Sequence, residues 1–269
     1  MNNAPAKPPA KPRGAPPRFI TGSIQRHILV MTGTAAIGLM AVFVAELLSL
    51  LFLGLLRDVE ILAAIGYAMT IQFFSTSVGI GLSIATIAVV APPAGRGDLA
   101  GLRRIAVNAH LTAIVAGVAI AAFIWPFIGS ILSMMGATGR THALAVSYLK
   151  IAMAVLPLTC LGMCSMAVLR SLGDAQRSMS VSLVGAAVNV AVEPVLIFIF
   201  KLGIIGSALA HATSRIAFVI VGAFGVFVIH RVREMPDMPS WLGDAQRMAA
   251  VAVPAVLTNI ATPVANTFT

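Results

Sequence analysis

Six long apolar runs, separated by short polar connectors, constrain this chain more than any other feature of its sequence. A run of about 20 apolar residues is long enough to cross a bilayer as an α-helix. With 59% hydrophobic and 10% charged residues, the mean hydropathy of +0.97 lies outside the range of soluble proteins. We therefore predict an all-α polytopic membrane protein that sits in the lipid bilayer. The predicted spans lie near residues 28–56, 61–91, 104–134, 143–169, 179–200 and 203–229, and a seventh starts at about residue 246.

The Lys and Arg residues predict how these spans are oriented. Thirteen of the 18 lie on the side of the amino-terminal tail, whereas Arg57, Arg140 and Lys201 lie on the other side. Lys150 and Arg215 fall within or at the edges of spans. Because cytoplasmic connectors carry the excess of basic residues, the amino terminus is predicted to be cytoplasmic, with the chain in the cytoplasmic (inner) membrane. The net charge of +9 is thus explained by topology, and no nucleic-acid partner is expected.

The chain is predicted to divide into four parts. Residues 1–26 form a basic, Pro-rich cytoplasmic tail, residues 27–232 a six-span lobe, and residues 233–245 a cytoplasmic linker. Gln25-Arg26, before the first span, recurs as Gln246-Arg247, and transporters are often built from two repeated halves. Residues 246–269 are therefore predicted to begin a second lobe that is truncated within its seventh span.

An acid lies inside the fifth apolar run. Placing a carboxylate near the bilayer centre costs roughly 3 kcal/mol, so Glu193 is a candidate for binding a proton or a cation. Asn189 precedes it by four residues, which puts the amide one helical turn away on the same face. Pro194 follows directly and removes a backbone hydrogen bond, which predicts a kink. The alternative is that Glu193 is held by Asn189 for packing only.

Several segments, taken in order, resemble those of multidrug and toxic compound extrusion (MATE) transporters. Residues 169–176 are similar to the family's Leu-Arg-Gly-x-Gly-Asp-Thr connector, and residues 189–198 to its Asn-x-x-x-Asp-Pro-x-x-Ile-Phe helix. Residues 202–210 are similar to its Leu-Gly-x-x-Gly-Ala-Ala-Leu-Ala segment, and residues 63–66 and 95–98 fit its second span and the loop that follows. The resemblance implies a twelve-span antiporter of two six-helix lobes, which exports organic, often cationic, compounds in exchange for H⁺ or Na⁺.

The resemblance also implies a site for the coupling ion. It would include Tyr148, Asn189 and Glu193, with Glu193 in place of the family's Asp. The family's first-span acid corresponds to Ser49, and this chain instead has Glu46 one turn earlier, which either reaches the same cavity or is unrelated to it. His211 replaces a small hydroxyl residue. A pair between His211 and Glu193 would favour protons over sodium, whereas a lone His in a span is more often a packing residue.

Three readings of the function stay open at this point. The first is a coupled exporter of organic, cationic compounds, active with a second lobe or as a homodimer. The second is a lobe that does not transport, or an interacting subunit. The third is a lipid-linked sugar flippase of related architecture. No enzyme activity, cofactor or metal site is expected, because the sequence contains no metal-ligand cluster and no phosphate-binding Gly loop.

Overall fold

The structure is a computed structural model that describes residues 24–235 and 238–266. Every regular element in these ranges is helical, which confirms the predicted all-α class. The α-helices are α1 (Ile24–Gly54), α2 (Val59–Gly95), α3 (Leu99–Ile124), α4 (Ile128–Met134), α5 (Gly139–Ala154), α6 (Leu156–Ser171), α7 (Ala175–Pro194), α8 (Gly203–Ala223) and α9 (Met238–Asn266). A 3₁₀ turn (Trp125–Phe127) joins α3 to α4, and π-helical turns (Val195–Ile199 and Phe224–Ile229) extend α7 and α8.

Six membrane crossings account for these helices up to the end of α8. Five segments are long and apolar enough to span a bilayer by themselves, and α5 with α6 makes a sixth that bends by 45°. The bend follows from Pro157 in the first turn of α6, because proline cannot donate the hydrogen bond that would continue α5. The chain is therefore an integral membrane protein. Its single-helix spans are Gln25–Gly54, Val59–Gly95, Leu99–Met134, Ala175–Ile199 and Gly203–Ile229.

A Gly-Asp pair builds two of the sharp connectors. Gly97 and Gly173 have φ angles of +70° and +78°, a conformation that ends a helix and that glycine adopts without strain. The next residue caps the following helix: Asp98 accepts a hydrogen bond from the Gly101 amide at 2.9 Å, and Asp174 accepts one from the Arg177 amide at 3.2 Å. Two adjacent residues thus end one span and begin the next.

The last helix begins earlier than the sequence pattern indicates. α9 starts at Met238, so the boundary predicted between a linker and a second lobe at residues 245 and 246 falls inside a continuous helix. The helix packs on α2 and α3 rather than standing apart from the lobe. The predicted basic tail, residues 1–26, lies almost entirely outside the described residues.

Candidate functional site

Glu193 lies at the centre of a hydrogen-bonded cluster formed by three helices. Its side chain has no exposed surface. The hydroxyls of Ser49 (α1) and Ser207 (α8) each donate to its Oε1 atom at 2.5 Å, and the Asn189 Nδ2 amide donates to Oε2 at 3.1 Å. The two hydroxyl oxygens are 3.4 Å apart. One buried carboxylate therefore holds α1, α7 and α8 together.

The backbone around Glu193 changes helix type at the next residue. α7 ends at Pro194, and the chain continues as a π-helical turn, in which the Phe200 amide donates to the Val195 carbonyl at 3.1 Å. This wider turn is the form taken by the predicted kink, because Pro194 has no amide hydrogen to continue the α-helical pattern. π turns of this kind occur frequently at functional sites, since they shift the register of the side chains that follow.

α8 approaches this turn closely enough to place Ser207 against Glu193. A Cβ atom on Gly206 would lie 2.9 Å from the backbone carbon of Leu196, a distance that the two helices could not accommodate without moving apart. Glycine at this position thus lets the two helices touch through their backbones. The neighbouring Ser207 side chain then reaches the carboxylate.

No positive charge balances Glu193 within its cluster. In the part of the chain that the structure describes, its carboxylate forms no ion pair and accepts hydrogen bonds only from neutral groups. The Asn189 Oδ1 atom is buried and has no hydrogen-bond partner within residues 24–235 and 238–266. A buried, uncompensated carboxylate is costly, so a proton or a bound cation would stabilise it. The carboxylate, two hydroxyls and an unused amide oxygen are also an all-oxygen set, the type that alkali and alkaline-earth cations prefer.

His211 does not pair with Glu193, which corrects the pairing considered from the sequence. Its Nε2 atom lies 3.2 Å from the Nε2 amide nitrogen of Gln72 in α2. The Tyr148 hydroxyl donates to the other end of the same amide, Gln72 Oε1, at 3.3 Å. His211 follows Ser207 by one helical turn, so it lies on the same face of α8 but meets α2 rather than α7. Tyr148 and His211 thus form a second polar group beside the Glu193 cluster.

Glu46 lies apart from Glu193 as well. It is exposed, and it contacts neither Glu193 nor the hydroxyl groups around it among the described residues. Its charge instead interacts at longer range with that of Arg215 in α8. On α1 it is Ser49, one turn later, that reaches the buried carboxylate.

A comparison with protein-family models shows the family. The model described as MatE matches residues 34–195, which is more than half of the chain. This chain belongs to the MatE family. The match runs from α1 to the first residue of the π turn after Pro194, so it includes Ser49, Asn189 and Glu193. MatE proteins are transporters, and this chain is accordingly a member of a transporter family rather than an enzyme.

Curated relatives of this MatE chain are exporters and transporters. The chain is 27% identical over 183 residues to the multidrug export protein MepA of Staphylococcus aureus, which covers 67% of this chain and 40% of MepA. It is 25% identical over 254 residues to an FAD transporter of Shewanella oneidensis, which covers 92% of this chain and 56% of that protein. The chain therefore spans about half the length of these relatives.

Solved structures show the same fold. A MATE transporter in complex with MaD5 matches with a TM-score of 0.86 and 22% identity, covering 95% of this chain and 58% of the other. A MOP superfamily transporter from Pyrococcus furiosus matches with a TM-score of 0.84 and 23% identity, covering 92% of this chain and 55% of the other. These matches confirm a MATE-type arrangement of helices for this MatE chain.

Sequence reasoning missed three residues of this region: Ser207, Gln72 and Arg215. Ser207 and Gln72 touch the predicted residues directly, at Glu193 and Tyr148. Single hydroxyl and amide groups in a span give little signal, because they are common there as packing residues. Arg215 did give a signal. Like Glu193, this arginine is a charge inside an apolar run, and such charges are functional candidates.

Proposed function

We propose that this chain forms one lobe of an antiporter in the cytoplasmic (inner) membrane, which exports organic compounds in exchange for protons and uses Glu193 as its coupling acid. One observation carries the proposal. Glu193 is fully buried inside a membrane span, joins three helices by hydrogen bonds, and has no positively charged partner among the described residues. Such an acid gains from binding a proton, and its contacts must change when it does so.

The change of contacts is the step that would couple the proton to helix movement. An ionised Glu193 accepts hydrogen bonds from Ser49, Ser207 and Asn189. A protonated Glu193 carries a donor of its own, so at least one neighbouring group has to turn and accept from it. Hydrogen bonds to a charged group contribute about 1.5–3 kcal/mol each. Several such bonds match the roughly 5.5 kcal/mol needed to shift a two-state equilibrium from 1:99 to 99:1.

The support for a substrate class comes from the relatives rather than from the site. MepA is a multidrug export protein, and the Shewanella protein is an FAD transporter. Both names support transport of an organic compound by this chain. The sequence resemblance led us to expect cationic compounds, and this expectation remains to be tested by transport.

Sodium is the second candidate for the coupling ion, and the Asn189 Oδ1 atom favours it. This oxygen is buried without a hydrogen-bond partner, beside the carboxylate and two hydroxyls. A rotated Asn189 amide would complete an oxygen shell around a small cation. The absence of a Glu193–His211 contact also removes the argument from the sequence that favoured protons.

The test is dye exchange in proteoliposomes that contain the full chain. A cationic dye is loaded, a pH gradient is imposed in sodium-free buffer, and the wild type is compared with Glu193→Gln. Exchange in the variant should fall to the level of protein-free liposomes, because Gln cannot take up or release a proton. Glu60→Gln is the matched control, since Glu60 pairs with Arg140 on the exposed surface and should leave exchange unchanged.

Three outcomes would count against the proposal. Equal exchange in the wild type and in Glu193→Gln would remove Glu193 as the coupling acid. Exchange that requires sodium at a fixed pH would replace the proton by sodium. No exchange in the wild type would favour the alternative of a lobe that does not transport without a second lobe or a second copy.

A further inference from the structure

Arg215 lies at the middle of the sixth span and has no hydrogen-bonded partner among the described residues. It is the thirteenth residue of the 27-residue span Gly203–Ile229. In the part of the chain that the structure describes, its guanidinium donates no hydrogen bond and forms no ion pair, and its Nε atom is buried without a partner. The guanidinium makes a cation–π contact with the ring of Phe218, with 5.5 Å between its central carbon and the ring centroid. The described part of the chain therefore supplies no hydrogen-bond acceptor for this guanidinium, which carries five N–H donors.

Arg215 lies too deep in the membrane for its side chain to extend to the interface, as arginines near span ends do. It lies twelve positions after Gly203, which at 1.5 Å per residue is about 18 Å of helix. The side chain cannot extend over that distance to reach the water or the lipid headgroups at the end of the helix. A charge held at this depth ordinarily faces a cavity or a ligand pathway. Lipid headgroups are thus excluded as the partner of Arg215.

Arg215 lies on a partly exposed face of the lobe rather than in its buried core. The residue is only half-buried, and Glu46 on α1 is exposed. The two charges act on each other at longer range, and no ion pair joins Glu46 and Arg215 among the described residues. His211, one turn before Arg215, uses its Nε2 atom at Gln72, and Tyr148 donates its hydroxyl to the same Gln72 side chain. No group of this face neutralises Arg215 by direct contact.

We infer that Arg215 binds an anionic group, a carboxylate or a phosphate, of the organic compound that the chain transports. A guanidinium binds either group through two parallel hydrogen bonds, which is the geometry that its fixed fork of donors provides. Glu46, as the nearby negative charge, weakens this binding and favours cationic compounds. The inference rests on the proposed transport function and gives its substrate an anionic group at the level of Arg215.

The test measures binding directly, so it does not depend on transport. Fluorescence anisotropy of carboxyfluorescein, an anionic dye, is followed as the purified full chain is added in a nonionic detergent. Arg215→Gln should weaken binding by about 10- to 100-fold, the effect of losing hydrogen bonds to a charged group. Glu46→Gln should strengthen it, because a repelling charge is removed. Arg103→Gln removes an exposed arginine at the start of α3 and should bind as the wild type does.

Further arms identify the ligand group and exclude a folding defect. Benzoate and phenyl phosphate are added as competitors, and the one that displaces the dye at the lower concentration identifies the preferred group. Arg215→Lys keeps the charge but loses the paired geometry, so its affinity should lie between those of the wild type and Arg215→Gln. Each variant is first shown to elute as a single peak in size-exclusion chromatography. For ethidium, a cation, the order of affinities should be reversed: Arg215→Gln should bind it more tightly than the wild type, and Glu46→Gln more weakly.

Two results would overturn the inference. Equal affinity of the wild type and Arg215→Gln for the anionic dye would remove Arg215 from the binding site. Weaker binding in Glu46→Gln as well would mean that Arg215 and Glu46 act only as a structural pair. The inference can be tested separately from the proposed function. Glu193→Gln should lose exchange of the cationic dye in proteoliposomes and still bind carboxyfluorescein in detergent.

Discussion

At the scale of single residues, the charged side chains within the spans differ from a charged side chain at a span end in whether they contact an opposite charge. Glu193 and Arg215 lie inside spans, and neither contacts a group of opposite charge among the described residues. Asp174, at the end of a span, is buried but pairs with both Arg177 and His230. A charge at a span end can pair with basic connector residues, whereas a charge in the middle of the membrane ordinarily faces a cavity or a pathway for ions or substrates.

Asp174 provides a prediction about pH. Burial acts against the ionised form, but hydrogen bonds from His230 and Arg177 outweigh it and lower the pKa of the Asp174 carboxyl below its ordinary value of 3.8. An acid with a lowered pKa in the folded state contributes stability above the pKa of the unfolded state, and this stability is lost as the pH falls through the folded value. Asp174→Asn should therefore lower the apparent melting temperature at pH 7. The difference from the wild type should shrink below about pH 4.

The measurement is thermal unfolding in a nonionic detergent, followed by tryptophan fluorescence at several pH values. Asparagine can still cap α7, so the substitution removes the charge and keeps the cap. A difference between wild type and variant that stays constant down to pH 3 would show that the charge of Asp174 does not contribute.

At the scale of helices, the contact between α8 and the π turn after Pro194 is what brings the Glu193 cluster together. Gly206 permits a backbone contact, and the cluster forms on the residue after it. The widened turn and the close approach depend on each other, because a side chain at position 206 would meet the carbonyl group of Leu196 at 3.0 Å. This pair of elements therefore sets the distance between Ser207 and Glu193.

Gly206→Ala should lower the free energy of unfolding by about 1–3 kcal/mol, the usual cost of inserting a methyl group into a packed contact. Gly66→Ala is the matched control. Gly66 also lies inside a helix, but a Cβ atom there would meet nothing within 4 Å. Its replacement should be neutral or raise the free energy of unfolding by about 0.5–1 kcal/mol, since alanine favours helices. Unfolding by titration with SDS measures both, and equal values for the two variants would contradict the contact.

At the scale of the whole molecule, α9 is fastened to the six-span lobe through a buried acid. Asp244 accepts a hydrogen bond from the Asn108 Nδ2 amide at 2.8 Å and has 4% of its surface exposed. Arg104 and Arg247 lie 3.9 and 3.6 Å from its carboxylate oxygens. Further along, Gly81 of α2 lets α9 approach so closely that a Cβ atom there would lie 2.9 Å from the Ala252 carbonyl oxygen. These contacts therefore fix the position of α9 on the lobe.

Asp244→Ala should loosen the start of α9 without unfolding the lobe. It leaves the Asn108 amide buried and unpaired, so we expect amide hydrogen exchange in residues 238–248 to rise by about 10- to 100-fold. Exchange within α7 and α8 should not change. Glu234→Ala removes a nearby exposed acid and serves as the control. Unchanged exchange in α9 would show that packing on α2 alone holds the helix.

The sequence by itself determined the features that depend on neighbouring residues. The apolar runs gave the spans, which the structure reproduces within a few residues, and the short polar stretches between them gave the connectors. The pairing of Asn189 with Glu193 belongs to the same class, because residues four apart on a helix share a face. Each of these follows from helix geometry and the thickness of the bilayer, and no tertiary contact is needed to predict it.

Only the tertiary structure decided which groups meet between helices. A membrane span is apolar on nearly all sides, so its sequence does not show which face turns inward or how far it slides along its neighbour. For this reason the donors Ser49 and Ser207 at Glu193, the contact of His211 with Gln72, and the isolation of Arg215 became visible only once the helices were packed. The charge of each residue is written in the sequence, but its partner depends on the rotation of the helix that carries it.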